Sequence, residues 1–317
     1  MTRYDVFNGD ADGICALQQL HLAEPRESRL VSGVKRDIAL LDRVHADAGD
    51  QVTVLDISLD KNRAALARLL EGGVSVSYFD HHYPGEIPVH PGLDAHIDTT
   101  ADRGTSLLVD DHLGGRHRAW AVVGTFGDNF DASARRAAEP LGLAAADVDR
   151  LRELGILLNY NGYGATIEDL HVPPAALFRR LAPYADPLRF IAEDDTFVAL
   201  RAGFHDDMAK VRAITPALQT DSHAVLVLPD ASWARRAGGV YANELAQMVP
   251  GRAHAMLTRL PGDSYLVSVR APVARPDGAD ALCRQFDSGG GRKAAAGINC
   301  LPEADYERFV AAFTAAF

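Results

Sequence analysis

Cysteine is scarce in this chain of 317 residues, with only Cys15, Cys283 and Cys300. Their spacing fits no metal motif and their number is odd, which excludes a disulfide framework and fits reduced thiols inside a cell. Long apolar runs are missing too. No stretch approaches the ~20 residues that cross a bilayer. The N-terminus reaches the polar Asn8-Gly9-Asp10 without the basic and apolar regions of a signal peptide, so a cytoplasmic protein is expected. There is no phosphate loop of the Gly-x4-Gly-Lys-Ser/Thr form, no His-Glu-x-x-His and no Gly-x-Ser-x-Gly, which removes the commonest nucleotide-, zinc- and serine-based chemistries. Excess basic charge is also lacking. The net charge is −11 and the pI about 5.5, the opposite of what a protein gripping long duplex nucleic acid presents. A phosphate-bearing substrate would therefore be short or small.

What is present is an ordinary globular composition, with 47% hydrophobic and 24% charged residues. Its length suggests two domains. The acidic excess is uneven. Residues 221–317 carry equal numbers of acidic and basic side chains, so all the excess lies in residues 1–220. There, short β-type runs at 3–7, 29–34, 51–57, 74–80 and 95–98 alternate with helical patterns at 13–22 and 62–70. That alternation predicts an α/β fold with a doubly wound, mainly parallel sheet. Residues 131–200 read as a helical extension, 201–220 as a polar linker, and 221–317 as a smaller α/β domain. The expected architecture is thus a catalytic domain at 1–200 and a substrate domain at 221–317, with the active site in a cleft between them.

Four runs end in residues that bear chemistry. Tyr4–Phe7 leads into Asn8-Gly9-Asp10-Ala11-Asp12-Gly13, Val52–Leu55 into Asp56, Val74–Phe79 into Asp80-His81-His82, and Ala121–Phe126, read as a fourth strand, into Gly127-Asp128-Asn129. Open α/β sheets place their sites at the carboxyl ends of strands. Asp10 and Asp12 sit two apart in a glycine-flanked turn, where paired carboxylates repel unless a cation lies between them. Oxygen donors mixed with an imidazole, and no thiolate, suit Mn2+ or Mg2+. Taken singly, each motif has a plainer explanation, since Asp-x-Asp is common as a helix cap or Asx-turn. It is the ordered set that points to metal chemistry. A phosphatase class that opens on Asp-x-Asp-Gly-Thr fits less well, because Ile14 occupies its Thr position and it gives Asp80-His81-His82 no role.

These motifs resemble the four ordered motifs of the DHH phosphoesterase superfamily, which includes single-strand exonucleases, nanoRNases, cyclic-dinucleotide phosphodiesterases and family II pyrophosphatases. The resemblance implies that Asp10, Asp12, Asp56, His81 and Asp128 hold two Mn2+ ions, with Mg2+ as the alternative and Asn8 as a candidate further ligand. It also implies that His82 contacts the scissile phosphate and that Asp80 supports the histidines. Many members carry His or Asp in the first motif where this chain has Val6 and Asn8, so a neutral amide replaces a stronger ligand.

Near the C-terminus, Ser288-Gly289-Gly290-Gly291-Arg292-Lys293-Ala294-Ala295-Ala296-Gly297 resembles the glycine signature of the DHH-associated C-terminal domain, with Arg292 in place of His. Gly289, Gly290, Gly291, Arg292 and Lys293 are thereby implied to bind the far end of a substrate, and a guanidinium favours a terminal phosphate or a stacked base. The expected activity is Mn2+-dependent hydrolysis of short oligonucleotides, dinucleotides or small phosphorylated nucleotides by metal-activated water. A phosphomonoesterase or pyrophosphatase on the same metals, and a nucleotide-binding regulator with a degenerate site, remain as alternatives. The resemblance permits a homodimer. Neither a membrane nor a long duplex is expected as partner.

Overall fold

The computed structural model describes all 317 residues, which divide into two compact units, Met1–Ala202 and Gly203–Phe317. In the first, β1 (Arg3–Phe7), α1 (Ala11–Ala23), β2 (Arg29–Ser32), β3 (Gln51–Leu55), α2 (Arg63–Glu71), β4 (Ser75–Asp80) and β5 (Leu93–Ile97) alternate along the chain. The strands form one fully parallel sheet in the order β2-β1-β3-β4-β5. Their period-two pattern decides what each face meets. Val6, Val52, Val54, Val76 and Tyr78 pack with Leu66, Leu69 and Leu70 of α2 into one buried cluster. The α/β architecture with a parallel sheet therefore stands as expected.

Seven helices follow, namely α3 (Thr105–His112), α4 (Arg118–Gly127), α5 (Asp131–Ala138), α6 (Ala145–Asn161), α7 (Pro174–Leu181), α8 (Pro187–Glu193) and α9 (Asp195–Arg212). Two of them correct the sequence reading. Ala121–Phe126 is not a strand but the body of α4. Its Val122, Val123 and Thr125 are β-branched, which is why it reads as a strand. Tertiary packing overrides that preference, because α4 is buried against α1, α3 and α6 and small residues let the helices close. A Cβ on Gly127 would come within 2.2 Å of the Ala11 Cβ. Thr125 also returns its hydroxyl proton to the Ala121 carbonyl at 2.7 Å, a helical i−4 bond. The second correction is the polar stretch 201–220. It is helical to Arg212, and it buries Met208 and Val211 at a spacing of three on one face of α9.

The second unit holds β6 (Leu218–Gln219), β7 (His223–Leu228), α10 (Ser232–Met248), β8 (Ala253–Leu260), β9 (Ser264–Arg270), α11 (Ala279–Cys283), β10 (Gly289–Gly291), β11 (Ala295–Pro302) and α12 (Tyr306–Ala316). Its mixed sheet runs β10-β11-β9-β8-β7-β6, with β7 and β8 the parallel pair. Ala253, Ala255 and Leu257 face one core with Phe309 and Phe313, while Met256 joins Leu226 and Leu228 in another.

His254 lies between these residues, 1% exposed. Burial, and to a smaller extent the Arg252 charge, pushes its imidazole down to about 4. The unfolded chain therefore binds a proton near the ordinary 6.5 that the folded chain refuses until about 4. Its contribution is present above pH 6.5 and is lost as the pH falls through that window, by at most ~3 kcal/mol. Acid melts between pH 7 and 4 should show this slope, and His254→Leu should flatten it. An unchanged slope would assign acid lability to other groups.

Candidate metal centre

The carboxyl ends of β1, β3 and β4 lie side by side because these strands are neighbours in the sheet, about 4.8 Å apart. Each delivers one motif. After β1, Asp10 caps α1, and one of its carboxylate oxygens accepts from the Asp12 and Gly13 N–H groups at 3.1 Å each. After β3, Asp56 takes a left-handed backbone, φ 60°, in which its side chain turns back to accept from the Thr105 hydroxyl at 3.0 Å. After β4 come His81 and His82. Asp128 arrives differently from the expectation, as the residue that closes the C-terminus of helix α4.

Four of the residues implied as metal ligands converge. His81 Nε2 lies 3.4 Å from Asp56 Oδ1 and 3.5 Å from Asp128 Oδ2. Asp12, His81 and Asp128 form one group whose donor atoms all lie within 4.8 Å of each other, and Asp56, His81 and His82 form another. Asp12 is fully buried. Its carboxylate receives the Thr105 N–H at 2.6 Å and the Ser106 N–H at 2.8 Å, from the N-terminus of α3. Burial, then the Asp128 charge and more weakly Asp10, pushes Asp12 up to about 6 against the opposing pull of His81. Burial with Asp10 and Asp12 drives Asp56 well above the carboxylate range. Burial opposes the charge on His81, but hydrogen bonding and attraction from Asp56, then Asp12 and Asp128, carry it to about 10. Carboxylates this crowded draw in positive charge, as the raised His81 shows. A hard divalent cation would supply it, so the donor set fits the implied metal.

Asp80 and His82 form a second layer. Asp80 is fully buried, and its Oδ1 accepts the His81 backbone N–H at 2.9 Å and pairs with His82 Nδ1 at 2.7 Å. It thus fixes the ring of His82 and the backbone of His81. His82 remains 44% exposed at its side chain, with Nε2 as its free nitrogen.

Asn8 is engaged by its neighbours. Its Oδ1 accepts the Asp10 N–H at 3.3 Å and its Nδ2 donates to the Lys35 carbonyl at 3.2 Å, so the amide is occupied in shaping the turn. Lys35, overlooked in the motifs, enters the cluster. Its ammonium pairs with Asp10 and donates to Asp128 Oδ1 at 3.0 Å and Asn159 Oδ1 at 2.9 Å. Burial opposes its charge, yet Asp10 and Asp128 hold it well above the usual lysine range. Lys35 follows the run at 29–34, so the strand-end criterion that singled out the four motifs would also have reached it. Gly104, Thr105 and Ser106 were overlooked as well. They carry the signal only of a helix start.

The residues implied to bind the far end of a substrate lie in the second unit. Gly289, Gly290 and Gly291 form the edge strand β10, paired antiparallel to β11. A tight turn joins the two strands, with mutual backbone hydrogen bonds between Arg292 and Ala295 at 2.9 and 3.1 Å. Arg292 and Lys293 are exposed at its tip, and Lys293 lies 3.6 Å from Asp277.

No protein-family model and no curated protein matches the sequence. Solved structures do match. A manganese-bound exonuclease RecJ aligns over 99% of this chain and 89% of its own, at TM-score 0.67 and 20% identity. RecJ of Thermus thermophilus with Mn2+ gives 0.68 and 21% over 99% of this chain, which spans only 51% of that protein. PggH of Vibrio cholerae, a pGpG-specific phosphodiesterase, matches over the full length of both chains at 0.56 and 13%. The chain shares the fold of these structures. Identities this low establish the architecture alone. That shared architecture sets β1, β3 and β4 side by side, which is why Asp12, Asp56 and His81, far apart in sequence, reach one point. No helix is long and apolar enough to cross a membrane.

Proposed function

We propose that this chain is a metal-dependent phosphoesterase that hydrolyses the phosphodiester bond of dinucleotides or short oligonucleotides. The observation that carries this reading is His81, shared by two donor groups, beside an exposed His82 whose Nδ1 is tied to Asp80. Asp12, Asp56, His81 and Asp128 would hold Mn2+ or Mg2+. When bound, the cation lowers the pKa of a coordinated water and polarises a phosphoryl oxygen. His82 Nε2 is then the nitrogen offered to the phosphoryl group or the departing oxygen. Asp80 keeps that ring in one tautomer and orientation, as carboxylates do behind histidines in metal sites. Arg292 and Lys293 would meet a terminal phosphate through charge-assisted hydrogen bonds.

Two observations support a small substrate. One structural neighbour acts on pGpG and matches end to end, and the chain's acidity disfavours long nucleic acid. The three unpaired cysteines suit a reducing, cytoplasmic setting. Purified protein with Mn2+ should release two mononucleotides from a 5′-phosphorylated dinucleotide by cleaving its phosphodiester bond, and less or nothing after chelation. Free phosphate without backbone cleavage would favour a phosphomonoesterase or pyrophosphatase. Tight nucleotide binding without turnover of any di-, tri- or mononucleotide would overturn catalysis in favour of a regulator.

A further inference from the structure

We infer that the Lys35 ammonium takes the place of one of the two cations implied by the resemblance, so that the chain loads one divalent ion and not two. The inference rests on the reading of Asp12, Asp56, His81 and Asp128 as a metal site. It concerns the remaining positions, Asn8 and Asp10.

A lysine ammonium has three protons to give, and here each has an acceptor, on Asp10, Asp128 and Asn159. The ammonium also lies 5.9 Å from the centre of the Tyr163 ring. Lys35 is fastened at its backbone as well. Its N–H donates to the Gly162 carbonyl at 2.8 Å and its carbonyl accepts from Asn8 Nδ2. The C-terminal end of α6 and the turn after β1 therefore hold the residue from two sides.

A second ion would need Asn8 and Asp10, and both are already engaged, Asp10 by the ammonium itself. Asn8 uses its oxygen on the Asp10 N–H and its nitrogen on the Lys35 carbonyl. Asp10 uses one oxygen as the cap of α1 and the other on Lys35. Neither residue belongs to the donor groups that converge on His81. Asp128 is the junction between the two halves, with Oδ1 toward Lys35 and Oδ2 toward His81. An ion seated on Asp10 would have to displace the ammonium or endure its repulsion at contact distance. The neutral amide of Asn8 completes the substitution, because a fixed single charge needs fewer carboxylates around it than a dication does. Lys35 supplies electrostatic attraction only. It bears no water to activate, and chelators cannot remove it.

Calorimetric titration of the full chain with Mn2+, followed by electron paramagnetic resonance of the loaded protein, tests this directly. One ion per chain and the uncoupled spectrum of an isolated Mn2+ are expected. Two ions with an exchange-coupled spectrum would overturn the inference while leaving the metal site intact. No binding at all would overturn both. The double variant Asn8→Asp with Lys35→Ala should raise the count from one to two and introduce coupling. A folded double variant that still binds one ion would overturn the assignment to Lys35. The wild-type titration decides the count even if that variant fails to fold.

Discussion

Asp128→Ala should abolish hydrolysis, lowering kcat/KM by well over ~100-fold, which is beyond the range typical for an outer partner of a metal ligand. One carboxylate oxygen faces His81 Nε2 at 3.5 Å and the other receives the Lys35 ammonium at 3.0 Å. Burial works against its charge, but Lys35 and His81 hold Asp128 below the ordinary carboxylate range, so it is an anion at working pH. Its removal takes one donor from the group formed with Asp12 and His81 and releases one of three partners of Lys35. The fold should survive the change. After burial, Asp128 is the largest influence pushing Asp12 up to about 6, so losing it relieves repulsion among buried acids. Thermal stability of the metal-free protein should nonetheless fall, because Lys35 and His81 lose the buried anion that they hold. Initial rates on a dinucleotide with saturating Mn2+, together with a melt, check both halves. Retained turnover would remove Asp128 from the metal site.

The second large effect is expected at a residue that bears no functional group. Gly104→Ala should weaken Mn2+ binding by ~10–100-fold, the scale on which disturbed support of a ligand is felt. Gly104 has φ −88° and ψ 169°, extended values that any residue adopts, so its backbone does not call for glycine. Space does. A Cβ there would lie 2.7 Å from Asp12 Oδ2 and 3.0 Å from Oδ1. The carboxylate cannot retreat freely, because the adjacent Thr105 and Ser106 N–H groups grip both of its oxygens. Either Asp12 shifts or the start of α3 does, at an overpacking cost of ~1–3 kcal/mol. Calorimetry with Mn2+ and a chemical melt would separate the two. Unaltered affinity in a destabilised protein would mean that α3 moved and Asp12 did not.

Much of the first unit was legible in the chain because its physics is local. The alternation of β-type runs with helical patterns predicted the parallel sheet, and the polar residues that end those runs became the strand-end cluster. Asp56 and His81 needed no more than their position after a buried strand. The errors lie where packing overrules propensity. Ala121–Phe126 has the β-branched look of a strand and is a helix, because Gly127 lets it close on Ala11. The polar stretch 201–220 looks like a linker, yet most of it is the amphipathic second half of α9, tied down by two buried apolar residues, Met208 and Val211.

The sequence by itself determined the chemistry on offer: four acidic or imidazole-bearing motifs at the ends of apolar runs, an acidic balance suited to cations, and no rival catalytic motif. Which of those groups meet was decided only by the tertiary structure. Strand order brings Asp12, Asp56 and His81 together and the end of a helix adds Asp128, whereas Asn8 is turned to the backbone of Asp10 and Lys35, and the Lys35 ammonium enters among the carboxylates. A motif fixes what a side chain can donate or accept. The partner that takes it is set by residues from far along the chain, as Asn159 and Thr105 are here, and their proximity is a property of packing that no local pattern encodes.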